Sequence, residues 1–307
     1  MKAKETEQSS LPWKHTKLEE EDPKALALIQ TIKSSPSYRL AVKDEEFLES
    51  SEVRSVRLEL DYLKAELTMN KFGIEHTIVV FGSARIVERK TALKRVAAIE
   101  KELEKHSNDK KLLRELHIAK RMVEKSVYYD DARAFGALVG KSGKTPEDCR
   151  VVLMTGGGPG IMEAANRGSY DVGAKNIGLN IHLPHEQFPN PYITPELCFQ
   201  FHYFAIRKMH FLERAKALVV YPGGFGTFDE LFETLTLIQT RKTENIPVVL
   251  VGKSYWEKAI NFEFLKDEGV IAPEDLEIFT FVDNAKEAWE YIIEWHEKEG
   301  HPLFEEV

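Results

Sequence analysis

The sequence predicts an α/β fold, a Rossmann-like, doubly wound parallel sheet. Short apolar runs rich in β-branched residues, typical of buried parallel strands, alternate with amphipathic helical segments. Glycine-rich turns follow several of these runs directly. Such alternation favours right-handed crossovers within one sheet. We assign the domain that contains this sheet to residues 74–307. A helical N-terminal extension at 1–73 precedes it, and a helical insertion after the first strand, at about 88–126, interrupts it.

The composition of the chain disfavours some classes of partner and favours one type of cellular compartment. The chain has 307 residues, is 43% hydrophobic and carries a net charge of −8, which disfavours nucleic acid as a partner. A small anionic ligand remains compatible, because backbone N–H groups and arginines act at contact distance. Cys149 and Cys198 lie in no motif, which indicates a reducing compartment. The polar start resembles no signal peptide and no run approaches membrane-spanning length, so we expect a cytoplasmic protein without a membrane partner.

The stretch that organises the chain begins at Ala217 as an apolar strand. Pro222 ends the strand, and Gly223, Gly224 and Gly226 follow. Thr227 is expected to cap the next helix. A strand, a glycine loop and a helix N-terminus together favour binding of an anion, usually a phosphate.

Glu230 falls in the first turn of that helix. One interpretation is a tight strand–helix turn with an acid that favours the helix dipole. The other is functional, because a carboxylate beside a bound phosphate would be repelled and needs another reason to be there.

Other predicted strands end in candidate site residues. His76–Phe81 is the first strand, and Gly82 and Ser83 follow at its carboxyl end, where open α/β sheets bind ligands. Ser83 either donates to a phosphate or ribose, or only caps the next helix. Arg85 is a weaker candidate for the same anion. The remaining predicted strands are 151–154, 176–181, 247–251 and 278–282.

A second glycine loop, Gly156–Gly158, follows the strand at 151–154. Its spacing matches neither the dinucleotide fingerprint nor the P-loop, so NAD binding and ATP hydrolysis are poor interpretations. The loop could let a base or ribose approach the backbone. Glu163, one turn into the next helix, is more simply a dipole or salt-bridge partner than a catalyst.

The helical additions show patterns but no chemistry. In the extension, an apolar stripe is expected to pack on the core domain or on another subunit; it consists of Val53, Val56, Leu60, Leu63 and Leu67. The insertion is predicted to be a helical hairpin with a solvated face and no visible chemistry. His182 and His185 lack a third ligand at sensible spacing, so no metal is expected.

Three motifs carry a family resemblance: M-T-G-G-G-P-G-I-M-E from Met154, the pair Arg207-Lys208, and P-G-G-F-G-T-F-D-E from Pro222. In this order they resemble the Lonely guy family of cytokinin riboside 5′-monophosphate phosphoribohydrolases, long called possible lysine decarboxylases. The resemblance covers roughly 74–250. Ile206 departs from the family, where a glutamate often precedes the Arg-Lys pair, and this bears on substrate preference.

The resemblance implies hydrolysis of the N-glycosidic bond of AMP or a related nucleotide, without a cofactor. It implies that Arg207 and Glu230 are the catalytic pair. The binding residues expected around them are Gly82, Ser83, Gly156, Gly157, Gly158, Lys208, Gly223, Gly224, Gly226 and Thr227. It also implies a homodimer.

Three alternatives stay open at this point. A non-catalytic nucleotide or molybdenum-cofactor-type phosphate binder would keep the glycine loops without requiring Arg207 and Glu230. An amino-acid decarboxylase generally uses pyridoxal phosphate on a lysine, and no lysine has a recognisable context for it. A regulatory module would use the helical additions to dock a partner.

Overall fold

A computed structural model describes residues 22–143, 145, 148–183 and 188–304 of the chain. Two compact units divide between Glu59 and Leu60. The predicted boundary at residue 73 lies further along, and that domain assignment stays a prediction. In the described part, no helix is both long and apolar enough to cross a membrane.

The α-helices are α1 (Ala25–Ser34), α2 (Glu45–Glu49), α3 (Arg54–Lys71), α4 (Arg89–Lys105), α5 (Lys110–Lys125), α6 (Val127–Lys141), α7 (Ile161–Asp171), α8 (Phe204–Glu213), α9 (Phe225–Gln239), α10 (Lys253–Ala259), α11 (Phe262–Asp267) and α12 (Ala285–Lys298). The strands are β1 (His76–Phe81), β2 (Val151–Thr155), β3 (Asn176–Ile181), β4 (Cys198–Phe201), β5 (Ala215–Val220), β6 (Val248–Val251) and β7 (Phe279–Val282).

In the first unit, α2 starts at a side-chain cap. Asp44 accepts the backbone N–H of Phe47, which satisfies one of the N–H groups that a helix start leaves unpaired. The Arg57 guanidinium then donates to the carbonyl oxygens of Leu48 and Ser50. These contacts hold the short helix against the turn that follows it.

The second unit is a seven-stranded sheet in the order β4-β3-β2-β1-β5-β6-β7, and every neighbouring pair is parallel. The predicted doubly wound parallel fold is confirmed. Strand β4 was not predicted, because its four residues alternate apolar and polar side chains rather than forming a continuous apolar run.

Helices cover both faces of the sheet. On one face α6, α7 and α12 pack against residues such as Ile78 and Val219. On the other, α8, α9 and the later part of α3 pack around Val79 and Leu218. Glycines allow α6 and α7 to meet closely, since a Cβ at Gly136 would lie 2.0 Å from the carbonyl oxygen of Ala165.

The buried face of α3 differs from the predicted stripe. Ala65 and Met69 are 1% and 0% exposed, whereas Leu60 and Leu67 are 52% and 61% exposed. The face of α3 that packs on the core therefore contains a small residue, Ala65, and a flexible one, Met69. Leu60 and Leu67 lie on an exposed face.

The order of the strands places a switch point between β1 and β5. From β1 the chain runs outward through β2, β3 and β4, then returns to the other side of β1. Ligands of open α/β sheets bind at the carboxyl ends of the strands at this point. There the N–H of Ser83, after β1, donates to the carbonyl oxygen of Pro222, after β5, at 3.0 Å.

Candidate active site

The switch point opens into one cavity of about 880 Å³. Its walls come from the turn after β1, the loop between β5 and α9, the first turn of α9, and one or two residues each of α5, α7, α8 and α10. Predicted site residues on these walls are Gly82, Ser83, Arg207, Gly223, Gly224, Gly226, Thr227 and Glu230. Tertiary structure therefore gathers most of the predicted site at one place.

The loop after β5 presents the start of α9 to this cavity. The helix begins at Phe225 with Gly224 as its N-cap, so the expectation that Thr227 caps it is wrong. Thr227 lies inside the helix, and a Cβ at Gly223 would come 2.0 Å from its Oγ1. Gly223 is thus required by close approach, because any side chain would collide with Thr227.

Open space surrounds the other two glycines of the loop. No atom lies within 4 Å of a Cβ built at Gly224 or Gly226. The first helical bond of α9 runs from the Phe228 N–H to the Gly224 carbonyl, and the N–H groups before it lack partners within the helix. This helix start can bind an anion that enters the cavity.

Glu230 lies one turn into α9, with its side chain 10% exposed. Its pKa is raised from 4.5 to about 7, chiefly because burial disfavours the charged form; Arg207 and Lys208 oppose that rise. A carboxyl group that titrates near neutral pH is suited to proton transfer as well as to charge stabilisation.

Arg207 reaches the cavity from α8. Its Nη1 lies 3.9 Å from Oε1 of Glu230, and its Nε–H donates to the carbonyl oxygen of Leu179 at 2.7 Å. The guanidinium carbon lies 4.9 Å from the ring centre of Phe211. Burial lowers the pKa of Arg207, and the charge of Glu230 partly offsets this.

The triple-glycine loop lies behind this arginine rather than on the cavity wall. A Cβ at Gly156 would come 2.6 Å from Nη2 of Arg207. Gly157 has a φ of 69°, and its N–H donates to Oγ1 of Thr155. Asn190 Nδ2 donates to the carbonyl oxygen of Gly158 at 3.1 Å. The loop makes room for Arg207 and is held by buried hydrogen bonds.

The side chain of Lys208 points away from the cavity that Glu230 lines. Its Nζ lies 2.9 Å from Asp229 and 3.0 Å from Glu233. The lysine lines a separate shallow depression, together with Phe232 and other residues of α9. Burial lowers the pKa of Lys208, but the hydrogen bonds that its ammonium donates to these carboxylates raise it, and the net shift is upward.

The structure also shows the surroundings of Ser83 and Glu163, for which the sequence allowed more than one role. Ser83 Oγ accepts the N–H of Arg85 at 3.1 Å, while both residues line the cavity. The next helix has Glu88 as its N-cap, so Ser83 does not cap it. Glu163 accepts a hydrogen bond from the Tyr129 hydroxyl at 2.7 Å, which agrees with a structural role.

Sequence reasoning missed several cavity residues. Met122 and Lys125 come from α5, so the insertion contributes to the cavity wall in addition to its predicted solvated face. Phe204 opens α8, and Tyr255 donates its hydroxyl to the Gly223 carbonyl at 2.5 Å. A lysine late in a charged amphipathic helix gives no local signal, because only the fold of the hairpin brings it to the sheet edge.

A metal finds little support in the described residues. His182 lies in an exposed loop, and His185 is outside the described residues. Ligand atoms of Glu66, His210 and Glu213 lie within 4.8 Å of one another. However, both oxygens of Glu66 already accept hydrogen bonds from Arg214, at 2.6 and 2.7 Å, so a cation there would face a guanidinium.

Comparison with known proteins bears on this geometry. A family described as "Possible lysine decarboxylase" matches residues 162–292, which include both Arg207 and Glu230. A curated Arabidopsis thaliana protein, cytokinin riboside 5′-monophosphate phosphoribohydrolase LOG7, is 28% identical over 163 residues, 52% of this chain and 71% of that protein. The predicted family resemblance is thereby confirmed.

Two solved structures are similar to this chain at low sequence identity. A molybdenum cofactor binding protein from Rippkaea orientalis has 17% identity and a TM-score of 0.39, covering 54% of this chain and 85% of that one. A Moco carrier protein from Chlamydomonas reinhardtii has 16% identity and a TM-score of 0.42, covering 73% and 99%.

Proposed function

We propose that the protein hydrolyses the N-glycosidic bond of a purine nucleoside 5′-monophosphate, releasing the free base and ribose 5-phosphate. One observation carries the proposal. A buried arginine and a buried carboxyl group, Arg207 and Glu230, face each other 3.9 Å apart in the cavity that also receives the N-terminus of α9.

The helix start would hold the 5′-phosphate. The N–H groups near Gly224, Gly226 and Thr227 supply hydrogen bonds, and the helix dipole favours the negative charge. Arg85 and Lys125 add positive charge to the same walls, and neither pairs with a carboxylate among the described residues. A phosphate anchored there positions the sugar, so remote binding energy acts at the reacting bond.

Glu230 would act on the ribose. Cleavage passes through an oxocarbenium-like sugar, and a nearby carboxylate stabilises the positive charge that develops. The bond from C1′ to the base nitrogen breaks and a bond from C1′ to a water oxygen forms. The water gives up a proton, which Glu230 can accept because its pKa is about 7, and the departing base takes up a proton.

Arg207 would hold the phosphate or assist departure of the base. Its Nε–H donates to the Leu179 carbonyl, Nη2 lies against Gly156, and Nη1 is directed towards Glu230. A guanidinium group that is held by a hydrogen bond at Nε presents its other N–H donors in a defined orientation.

The substrate class rests on the curated relative. The name of that protein specifies a cytokinin riboside 5′-monophosphate as its substrate, and AMP shares the purine, the ribose and the 5′-phosphate with such a compound. We therefore propose AMP or a cytokinin riboside monophosphate for this chain, acting without a cofactor.

The experiment is direct. Purified protein is incubated with a panel of nucleoside 5′-monophosphates, including AMP and a cytokinin riboside monophosphate, and free base is measured by chromatography. Release of base from at least one purine nucleotide supports the proposal. Binding of AMP without release of base from any nucleotide would instead favour a non-catalytic phosphate-binding protein, which needs the helix start but not the Arg207–Glu230 pair.

We also propose a homodimer and a reducing, cytoplasmic setting. Two apolar side chains that line the cavity are exposed, 97% for Phe225 and 51% for Phe204. A second copy would cover them. Neither Cys149 nor Cys198, both within the described chain, forms a disulfide. Light scattering on the eluted protein tests the dimer, and a monomeric mass at micromolar concentration would contradict it.

A further inference from the structure

The helix that carries Arg207 is short. Helix α8 has ten residues, Phe204–Glu213, and an isolated helix of that length is marginal in water. Its position therefore depends on contacts with the rest of the fold. The later part of α3, from Leu60 onward, makes such contacts at both ends of α8.

At the start of α8, one carboxylate receives two backbone donors. Oδ2 of Asp61 accepts the N–H of His202 at 2.8 Å and the N–H of Tyr203 at 2.9 Å. These donors lie at the positive end of the helix dipole, where a negative charge is stabilising. Asp61, which belongs to a different helix, thus fixes the two residues that lead into α8.

At the other end of α8, an imidazole lies against α3. The ring of His210 stacks on Tyr62, with centroids 4.9 Å apart and an angle of 17°. His210 Nε2 lies 3.2 Å from the Tyr62 carbonyl oxygen, which can only accept, so the ring nitrogen donates. The Tyr62 hydroxyl donates to Oε1 of Glu213 at 2.7 Å.

Just past α8, a two-pronged ion pair continues the contact. Nη1 and Nη2 of Arg214 lie 2.6 and 2.7 Å from the two oxygens of Glu66. Both side chains are largely buried, 11% and 18% exposed. On the same side of α3, Ala65 and Met69 join the core cluster that includes Phe211 of α8. The contacts at both ends therefore hold a single position of α8.

We propose that Asp61 is a positioning residue for Arg207, and that the 60–71 segment of α3 belongs to the active site rather than to a separable extension. The inference rests on the proposed function for the role of Arg207. Fixing both ends of α8 sets how far the guanidinium reaches beyond the Leu179 carbonyl, and a displacement of about 1 Å at a reacting group can cost about a hundredfold in rate. This segment lies outside residues 162–292, which the family matches.

The first test is a double-mutant cycle on base release. Asp61→Ala is expected to lower kcat about tenfold with KM changed less than about twofold, because the arginine is displaced while the phosphate site stays. Asp61→Asn, which keeps an oxygen acceptor, should recover most of the activity. In an Arg207→Ala background, Asp61→Ala should cause no further loss. An equal loss in both backgrounds would overturn the inference.

A matched control comes from the hairpin. Oδ1 of Asp109 also accepts two backbone N–H groups at a helix start, those of Lys111 and Leu112, and the residue lies outside the cavity walls. Asp109→Ala should lower stability without this loss of kcat. If Asp61→Ala fails to fold, Tyr62→Phe replaces it, since that change removes the hydroxyl bonded to Glu213 and keeps the ring on His210; unchanged kcat in Tyr62→Phe would then count against the inference.

A second readout does not depend on catalysis. The Nε–H signal of Arg207, assigned in nitrogen-15 NMR spectra by its loss in Arg207→Ala, should shift and exchange faster with solvent in Asp61→Ala but not in Asp109→Ala. An unchanged signal would overturn the positioning role. A changed signal in a protein that releases no base from any nucleotide would leave the positioning role standing and refute the proposed function.

Discussion

Nη1 of Arg207 lies 3.9 Å from Oε1 of Glu230, with both side chains about one-tenth exposed. The two residues lie on successive helices, α8 and α9, whose starting points are set by different strands. Burial raises the pKa of Glu230 and lowers the pKa of Arg207. The pair is thus held in a low-dielectric site where each charge matters more than it would in water.

Glu230→Gln should lower kcat for base release about a hundredfold or more, with AMP affinity little changed. The reason is that an oriented carboxylate acting on developing charge is worth about 3 kcal/mol, by analogy with single oxyanion-hole donors. Steady-state kinetics with AMP and calorimetric titration of the variant measure the two quantities. Near-normal turnover in Glu230→Gln would refute the role given to this residue.

The pH dependence should follow the same carboxyl group. Because the working form is the carboxylate and the pKa is about 7, kcat/KM is expected to be flat above that pH. Below it, kcat/KM should fall about tenfold per pH unit. The profile between pH 5 and 9 measures this. A profile with no break between pH 6 and 8 would contradict the assignment.

Stability gives an independent check on the same pKa. The pKa of Glu230 in the folded protein is raised above its ordinary value of 4.5, so the folded state binds the extra proton. The stabilisation by the neutral form is therefore complete below about 4.5 and is lost as the pH rises through about 7. Glu230→Gln should remove this slope in urea denaturation, which makes the variant the more stable protein at pH 8.

Arg207→Ala should lower kcat/KM about a hundredfold, and Arg207→Lys should recover little. A lysine keeps a positive charge but cannot donate to the Leu179 carbonyl and present further planar donors at the same time. Initial-rate measurements on the two variants decide this. A specificity constant like that of the unaltered protein in Arg207→Ala would remove the residue from the site.

Gly226→Ala should separate folding from binding. No atom lies within 4 Å of the added Cβ, and alanine is favoured over glycine in a helix, so unfolding should cost about 0.5–1 kcal/mol more. The same methyl group enters the space beside the helix start and should weaken AMP binding about tenfold. Gly223→Ala is the contrasting variant: its Cβ collides with Thr227, so it should lose stability. AMP binding as tight in Gly226→Ala as in the unaltered protein would place the phosphate elsewhere.

Lys125→Ala tests the contribution of the inserted hairpin. The ammonium group lines the cavity and, among the described residues, pairs with no carboxylate; burial lowers its pKa. If it attracts the substrate phosphate, the variant should raise KM for AMP several-fold with kcat nearly constant. Lys120→Ala, which removes a lysine that pairs with Glu100 on the hairpin surface, is the matched control. Equal KM values in both variants would argue against the role of Lys125.

The strands and loops could be predicted because their signals are local. The run at 76–81 is largely a continuous apolar run, and the one at 176–181 places Ile177, Leu179 and Ile181 at alternate positions; both predictions match β1 and β3. The exposed leucines of α3 and the missed β4 show the limit of such patterns. Periodicity identifies an apolar face, but it does not say whether a partner covers that face.

The sequence alone was enough to predict the fold class, the glycine loops and the choice of Arg207 and Glu230 as candidate site residues. Each of these predictions depends on residues that are near one another in the chain. Only the tertiary structure decided that Lys208 turns towards Asp229, that Gly156 lies behind Arg207, and that Lys125 and Asp61 reach the neighbourhood of the site. The physical reason is that strand order and helix packing minimise the exposed apolar surface of the whole chain. Which distant side chains then meet is a consequence of that packing, and no local spacing records it.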